Sequence, residues 1–212
     1  GNLQVSSAPL QVIDAILEHS SNYGLYATNI GAVTISRTAL TNNASYAAYF
    51  ALSSTTPFNP SLSELSASGN EINGIGLAGS VAGSSSVPGD PGVPYIIAGG
   101  LSVDSSASLS FAPGSIIKFR QSTTKVTVWG RLEAVGTAAA PVVFTSLKDD
   151  SVGGDTNGDG GLSSPSPGDW TSIQLTDAGV LLLEHGVVRY GGGGNENNWD
   201  AGMISTSSSP FT

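Results

Sequence analysis

Cysteine is absent from this 212-residue chain, and there are only two histidines, one methionine and three tryptophans. Without cysteine there is no disulfide framework and no thiolate metal site. Two histidines are too few for an ordinary zinc centre. Charge is also scarce. Only 11% of residues are charged, less than half of the usual quarter or so, which excludes a helical protein with a charged surface. Seven basic residues face sixteen acidic ones, a formal net charge of −9. That balance argues against nucleic acid and against anionic membrane surfaces as partners, and it suits a protein that binds cations. No apolar run approaches the length of a membrane span, so no membrane insertion is expected. No secretory leader is readable, and Gly1 stands directly before patterned sequence, Leu3-Gln4-Val5, as in a processed product or an excised piece. Helical periodicity is missing as well: Val12 to Leu17 is the one candidate, and it is too short.

What the chain does contain is glycine (28 residues), serine, threonine and short apolar alternations. The alternations repeat. A shift of 23 residues places Val12 on Ile35, Tyr23 on Tyr46 and Tyr26 on Tyr49, and a looser copy runs from Leu62 to Leu77. Further on, Leu101/Val103, Leu109/Phe111 and Ile117/Phe119 form one set. Val126/Val128, Leu132/Ala134 and Val142/Phe144 form the next, 23 to 25 residues later. Ile173/Leu175, Leu181/Leu183 and Val188/Tyr190 form a third, delayed by an insertion. A period of that length with strands of two to five residues predicts a parallel β-solenoid. Apolar residues would stack inward at about 4.8 Å per rung, with Gly, Asn and Asp at the corners, where φ is positive. An antiparallel sandwich also has many short strands but no reason to repeat at a fixed period. The expectation is therefore an all-β, right-handed parallel β-helix of about six or seven rungs, continuous over residues 1–212. Residues 1–80 would be a first rung set, 81–94 a Gly/Ser/Pro external loop, and 95–212 a second rung set interrupted by an insertion at 147–170.

That insertion is acidic and aperiodic. Asp155, Asn157 and Asp159 alternate with small residues and are followed by Gly160, the D-x-N-x-D-G form of a calcium loop. Short oxygen-bearing side chains at alternate positions let a tight turn aim several oxygens at one hard cation. The twelfth position, where a helix–loop–helix site has a bidentate Glu, is Ser166, so this is no EF-hand. Another carboxylate must complete the shell, and Asp149 and Asp150 are nearest in sequence, while Asp169 closes the far end. The expected cofactor is Ca2+, held by Asp149, Asp150, Asp155, Asn157 and Asp159.

Five segments carry a resemblance: APGSIIKF (112–119), GRLEAVGTAAAPVVFTSLKDD (130–150), GDTNGDG (154–160), PGDW (167–170) and VVRYGG (187–192). Together they resemble right-handed parallel β-helix repeat proteins, the pectate-lyase-like solenoids, and in particular modules of large secreted bacterial surface proteins. The resemblance spans about residues 95 to 193, and residues 1–80 share only the general rung pattern. It implies the fold and an extracellular, cell-surface setting. Lyases of that fold hold calcium with several Asp on an exposed sheet and use an Arg or Lys as base. Here the acids lie in an insertion and the basic residues are scattered, so no catalytic residue is expected. Leu17-Glu18-His19 and Leu183-Glu184-His185 recur with the repeat and read as outward turns. Trp129, Trp199 and Tyr95 are candidates for stacking on sugars. Asn43-Ala44-Ser45 is a glycosylation sequon.

The functional expectation is a non-enzymatic structural unit of an extracellular calcium-stabilised fibre, adhesin or sheath. Its partners would be copies of itself joined head to tail, with glycans or a cell surface as further partners. The strand-like residues at both ends, Leu3-Gln4-Val5 and Met203-Ile204-Ser205 with Ser209 to Thr212, suggest that joining. The alternative is a polysaccharide-binding or polysaccharide-cleaving β-helix.

Overall fold

A short strand with one apolar face is stable only between neighbours, and here each turn of the chain supplies the next turn's partner. The computed structural model describes residues 1–194 and 202–206. These contain twenty-one strands and no helix. The first three turns are three-sided. They comprise β1 (Leu3–Ser6), β2 (Leu10–Ile13) and β3 (Ile16–Glu18), then β4 (Leu25–Thr28), β5 (Val33–Ser36) and β6 (Ala39–Thr41), then β7 (Tyr46–Leu52), β8 (Ser61–Ser63) and β9 (Ser66–Ser68). The middle holds β10 (Ile72–Val81), β11 (Ser84–Val87), β12 (Tyr95–Val103) and β13 (Ser108–Phe111). The last part holds β14 (Ile116–Phe119), β15 (Lys125–Val128), β16 (Arg131–Val135), β17 (Val142–Ser146), β18 (Ile173–Leu175), β19 (Val180–Glu184), β20 (Gly186–Val188) and β21 (Ile204–Thr206). Strands pair in parallel from one turn to the next, giving an all-β parallel β-solenoid of about six turns. One sheet runs the whole length in the order β1-β4-β7-β10-β12-β14-β17-β20. The long strand β12 bends, pairing β14 with its first half and β15 with its second.

The register stacks like on like. Leu3, Leu25, Ala48, Ile75, Tyr95, Ile117, Phe144 and Val188 form one column along the inside of the long sheet. Its members from Leu25 to Phe144 are almost entirely buried. Such columns belong to a single continuous core. The pairing of Val12 with Ile35, of Tyr26 with Tyr49 and of Leu101 with Val126 follows the sequence repeats. One column differs. A 25-residue step would set Ile117 on Val142, but Ile117 pairs with Phe144 and Phe119 with Ser146. Ser146 is too small to cover the Phe119 ring, and Trp170 does so instead, stacked at 3.9 Å and 6° between planes. Trp170 is fully buried, with its indole N–H donated to the Arg189 carbonyl.

Segment 81–94, expected as an external loop, is a side of the solenoid. It contains β11, which pairs in parallel with β13. Its buried Ser85 hydroxyl accepts from the Phe58 N–H and donates to the Ala82 carbonyl, so a polar residue sits inward at no cost in lost hydrogen bonds. Corners are made by residues at positive φ, among them Asp14, Arg37, Glu64, His19, Asn42 and His185. Both histidines are thus corner residues. Within the same part of the turn, Asn43 and Asn70 form an inner ladder. The Asn43 side-chain amide donates to Asn70 Oδ1, and that of Asn70 to Asn73 Oδ1. Asn43 is 1% exposed, which closes the sequon to a glycan.

The outer column of the long sheet runs Gln4, Tyr26, Tyr49, Gly76, Ile96, Lys118, Thr145. It is covered in two ways. Near its start Tyr26 and Tyr49 stack at 5.8 Å, beside Tyr23 and Tyr46. Arg120 lies 5.4 Å over the Tyr46 ring and pairs with Glu71 at 3.3 Å. Farther along, Ile96, Lys118 and Thr145 point outward and yet have no exposed surface, because the insertion at 147–170 lies on them.

Candidate metal centre

The insertion leaves the end of β17 and turns back along the outer face of the long sheet. At its base Asp149 is buried and fully engaged. It accepts hydrogen bonds from the Thr145 hydroxyl at 2.5 Å and the Ser151 hydroxyl at 2.6 Å, and pairs with the Arg189 guanidinium at 2.5 Å. Burial pushes the Asp149 carboxyl up, but the hydroxyls of Ser151 and Thr145 and the charge of Arg189 outweigh it and hold it below the usual value. The far end is tied by Asp169, which accepts from Ser146 Oγ, Lys148 Nζ and the Ser166 N–H.

Between these anchors the loop docks on strands several turns back. The Asn73 N–H donates to the Thr156 carbonyl at 2.7 Å, and the Asn73 side chain to the Asp155 carbonyl. Lys118 Nζ donates to the Gly154 carbonyl at 2.8 Å and to Thr156 Oγ1 at 2.7 Å. Burial pulls the Lys118 ammonium down to about 8, against the attraction of Asp150, Asp149 and Asp155. Gly153 adopts φ 66°, and a Cβ there would come within 2.5 Å of Pro94 Cγ. The contacts on Thr145, Lys118, Pro94 and Asn73 thus cross four successive turns, about 14 Å along the axis at 4.8 Å per rung.

On top of this clasp, Asp150, Asp155 and Asp159 each present a carboxylate oxygen within 4.8 Å of the others. Ligand oxygens around one calcium ion, each at about 2.4 Å, lie no farther than about 4.8 Å apart. The turn is preorganised by its own backbone. Asp155 accepts from the N–H groups of Asp159 and Gly160, and Asp159 from those of Gly161, Leu162 and Ser163. The Ser163 hydroxyl and these N–H groups keep the Asp159 carboxyl below its usual value. Asp150 is the opposite case: burial, then the nearby Asp155 charge, push its carboxyl up. Asp150 Oδ1 and Asn157 Oδ1 are both buried and accept no hydrogen bond. The Asn157 amide nitrogen donates to Asp159 Oδ2 and Ser163 Oγ, which leaves its oxygen without a hydrogen-bond partner. Buried oxygens without donors are rare and call for a partner. An all-oxygen set of this kind could hold a hard divalent cation, and crowded carboxylates suit calcium better than the more hydrated magnesium.

Of the expected ligands, Asp150, Asp155 and Asp159 come together and Asn157 adjoins them with a free oxygen. Asp149 stands apart, neutralised by Arg189, and serves as the base anchor. Lys118, Thr156 and Asn73 were not legible as parts of this site. Of the aromatic residues considered for sugars, Tyr95 is fully buried with its hydroxyl on the Pro88 carbonyl, Trp129 is 37% exposed, and Trp199 lies outside the described residues. No protein-family profile, curated protein or solved structure matches the chain.

Proposed function

We propose that the chain is a structural segment of an extracellular fibre, adhesin or sheath, stiffened by calcium bound at Asp150, Asp155, Asn157 and Asp159. The observation that carries this reading is the pair of buried, donorless oxygens, Asp150 Oδ1 and Asn157 Oδ1, in a loop that clasps four turns. A cation there would fix the loop, and the loop would fix the turns beneath it. The basic side chains nearest the acids are already committed, Arg189 to Asp149 and Lys118 to Gly154 and Thr156, which supports a role without catalysis.

Self-association along the axis is part of the proposal. Among the described residues β1, β2 and β3 pair with β4, β5 and β6, and β19, β20 and β21 with β16, β17 and β18. Parallel pairing of this kind can continue from one copy of a solenoid to the next. A head-to-tail contact that does not close makes a filament. The closing residues Ser209 to Thr212 lie outside the described residues. Calorimetric titration of chelator-treated protein with calcium is expected to show one site, and absence of heat at millimolar calcium would refute the metal reading. Electron microscopy of concentrated native protein tests the assembly: rods longer than one subunit support it, and monodisperse single subunits contradict it.

A further inference from the structure

We propose a second binding site, independent of the metal loop: a groove for an uncharged glycan along the corner between β15/β18 and β13/β16/β19. The groove has a volume of about 510 Å³, within the range of small-ligand sites. It is built by register. Ser84, Ser108, Arg131 and Val180 are successive partners in the column β11-β13-β16-β19, so the groove follows the axis over four turns. Its wall at Gly130 leaves no room for a side chain: a Cβ there would meet the Ala107 and Asp104 carbonyl oxygens, each at 2.2 Å. Trp129 lines the groove, 37% exposed; its backbone N–H donates to the Val103 carbonyl, and its ring has no aromatic or side-chain hydrogen-bond partner among the described residues.

The chemistry around that ring selects the ligand. An exposed indole face carries the negative pole of its quadrupole and packs against the C–H face of a sugar ring. Its N–H remains available as a donor to a hydroxyl. The walls offer what sugar hydroxyls bond: the hydroxyls of Ser84, Ser106 and Ser108 and the guanidinium of Arg131. The Arg131 charge is neutralised by Glu133 at 2.5 Å, and the chain as a whole carries −9. An anionic polymer would therefore meet no free cation here and a repulsive field. The groove is open along the axis, so it takes an internal stretch of an extended oligosaccharide.

The test uses the intact protein titrated with cellohexaose, chitohexaose, xylohexaose and mannohexaose, and with oligogalacturonate as the anionic control. Tryptophan emission and amide chemical shifts are followed together. At least one neutral hexasaccharide is expected to bind saturably with Kd of about 10 μM to 1 mM. The shifts should cluster at residues 83–84, 105–108, 129–131 and 177–180, and Trp129→Ala should weaken binding at least about tenfold. No saturable response at about 10 mM of any neutral sugar, shifts centred elsewhere, an unchanged affinity in a folded Trp129→Ala variant, or binding of oligogalacturonate alone would each overturn the proposal. The shift map decides the matter even if the variant does not fold. Chelating calcium leaves this result unchanged if the groove is a site of its own.

Discussion

Replacing Arg189 by alanine probes the base of the acidic loop. In the folded protein its guanidinium lies 2.5 Å from Asp149 Oδ2 and also donates to Ser151 Oγ at 2.8 Å. The Asp149 side chain is 2% exposed and that of Arg189 32%. Arg189→Ala therefore leaves a carboxylate out of reach of water, with the Thr145 and Ser151 hydroxyls and the Ser151 N–H to support its charge. Removing one partner of a fully buried pair costs about 3–5 kcal/mol. Partial exposure of the arginine screens this pair, so the expected cost falls below that range, at about 2–3 kcal/mol. For a chain of this size each kcal/mol moves Tm by about 2–4 °C, giving a fall of about 4–12 °C. Differential scanning calorimetry at neutral pH, in chelator, reads it without interference from metal. Adding Asp149→Asn to Arg189→Ala should recover part of the loss, because a neutral amide keeps its contact with a hydroxyl and no longer needs a counter-charge. A single variant melting within about 1 °C of the parent, or strict additivity in the double variant, would refute the reasoning.

Other consequences are equally accessible. Asp150→Asn should weaken calcium at least about tenfold in calorimetry, that is by about 1.4 kcal/mol. In chelator it should leave Tm unchanged or raised, because the carboxyl lost is one that the folded protein already disfavours as an anion. Lys118 has a folded value of about 8, below that of a free lysine. Between those two values the unfolded chain binds more protons than the folded one, so this group makes stability rise with pH across that window. Below it the full penalty of a charged buried ammonium is present. Lys118→Met should flatten the rise, read as Tm against pH. Trp170→Ala removes the cover of Phe119 and should cost about 3–5 kcal/mol, the largest single loss among these variants, read by denaturant titration.

The solenoid was legible because its signal is local and repeated. Val12 above Ile35 and Tyr26 above Tyr49 are visible as a period in the text, and the structure pairs them in that register. Where a polar residue occupies an inward position the signal fails. Ser85 hid β11 inside what read as a Gly/Ser/Pro loop, since its hydroxyl is satisfied by Phe58 N and Ala82 O. The column at Ile117 slipped by two residues because Trp170, from the far end of the insertion, fills the place over Phe119. Tyr95 read as exposed because a chain-local pattern does not show what lies over it. The carboxylates of the loop could be named from spacing. The division between Asp149 and Asp150 could not, because it depends on Arg189, a partner forty residues later that only the fold brings near. Nor does any periodicity announce that an insertion turns back over Lys118 and Asn73.

Hydrogen exchange with and without calcium tests most directly whether a metal-bound loop clasps the solenoid. The amide of Asn73, bonded to the Thr156 carbonyl, and the amides of residues 150–163 report on the loop. Those of β1 and β5, far from it, serve as the reference. The account predicts that calcium slows exchange at Asn73 and through the loop at least about tenfold, as expected when a ligand binds the closed form at many times its Kd, and leaves β1 and β5 unchanged. Identical exchange in calcium and in chelator, at metal concentrations where binding is saturated, would contradict it.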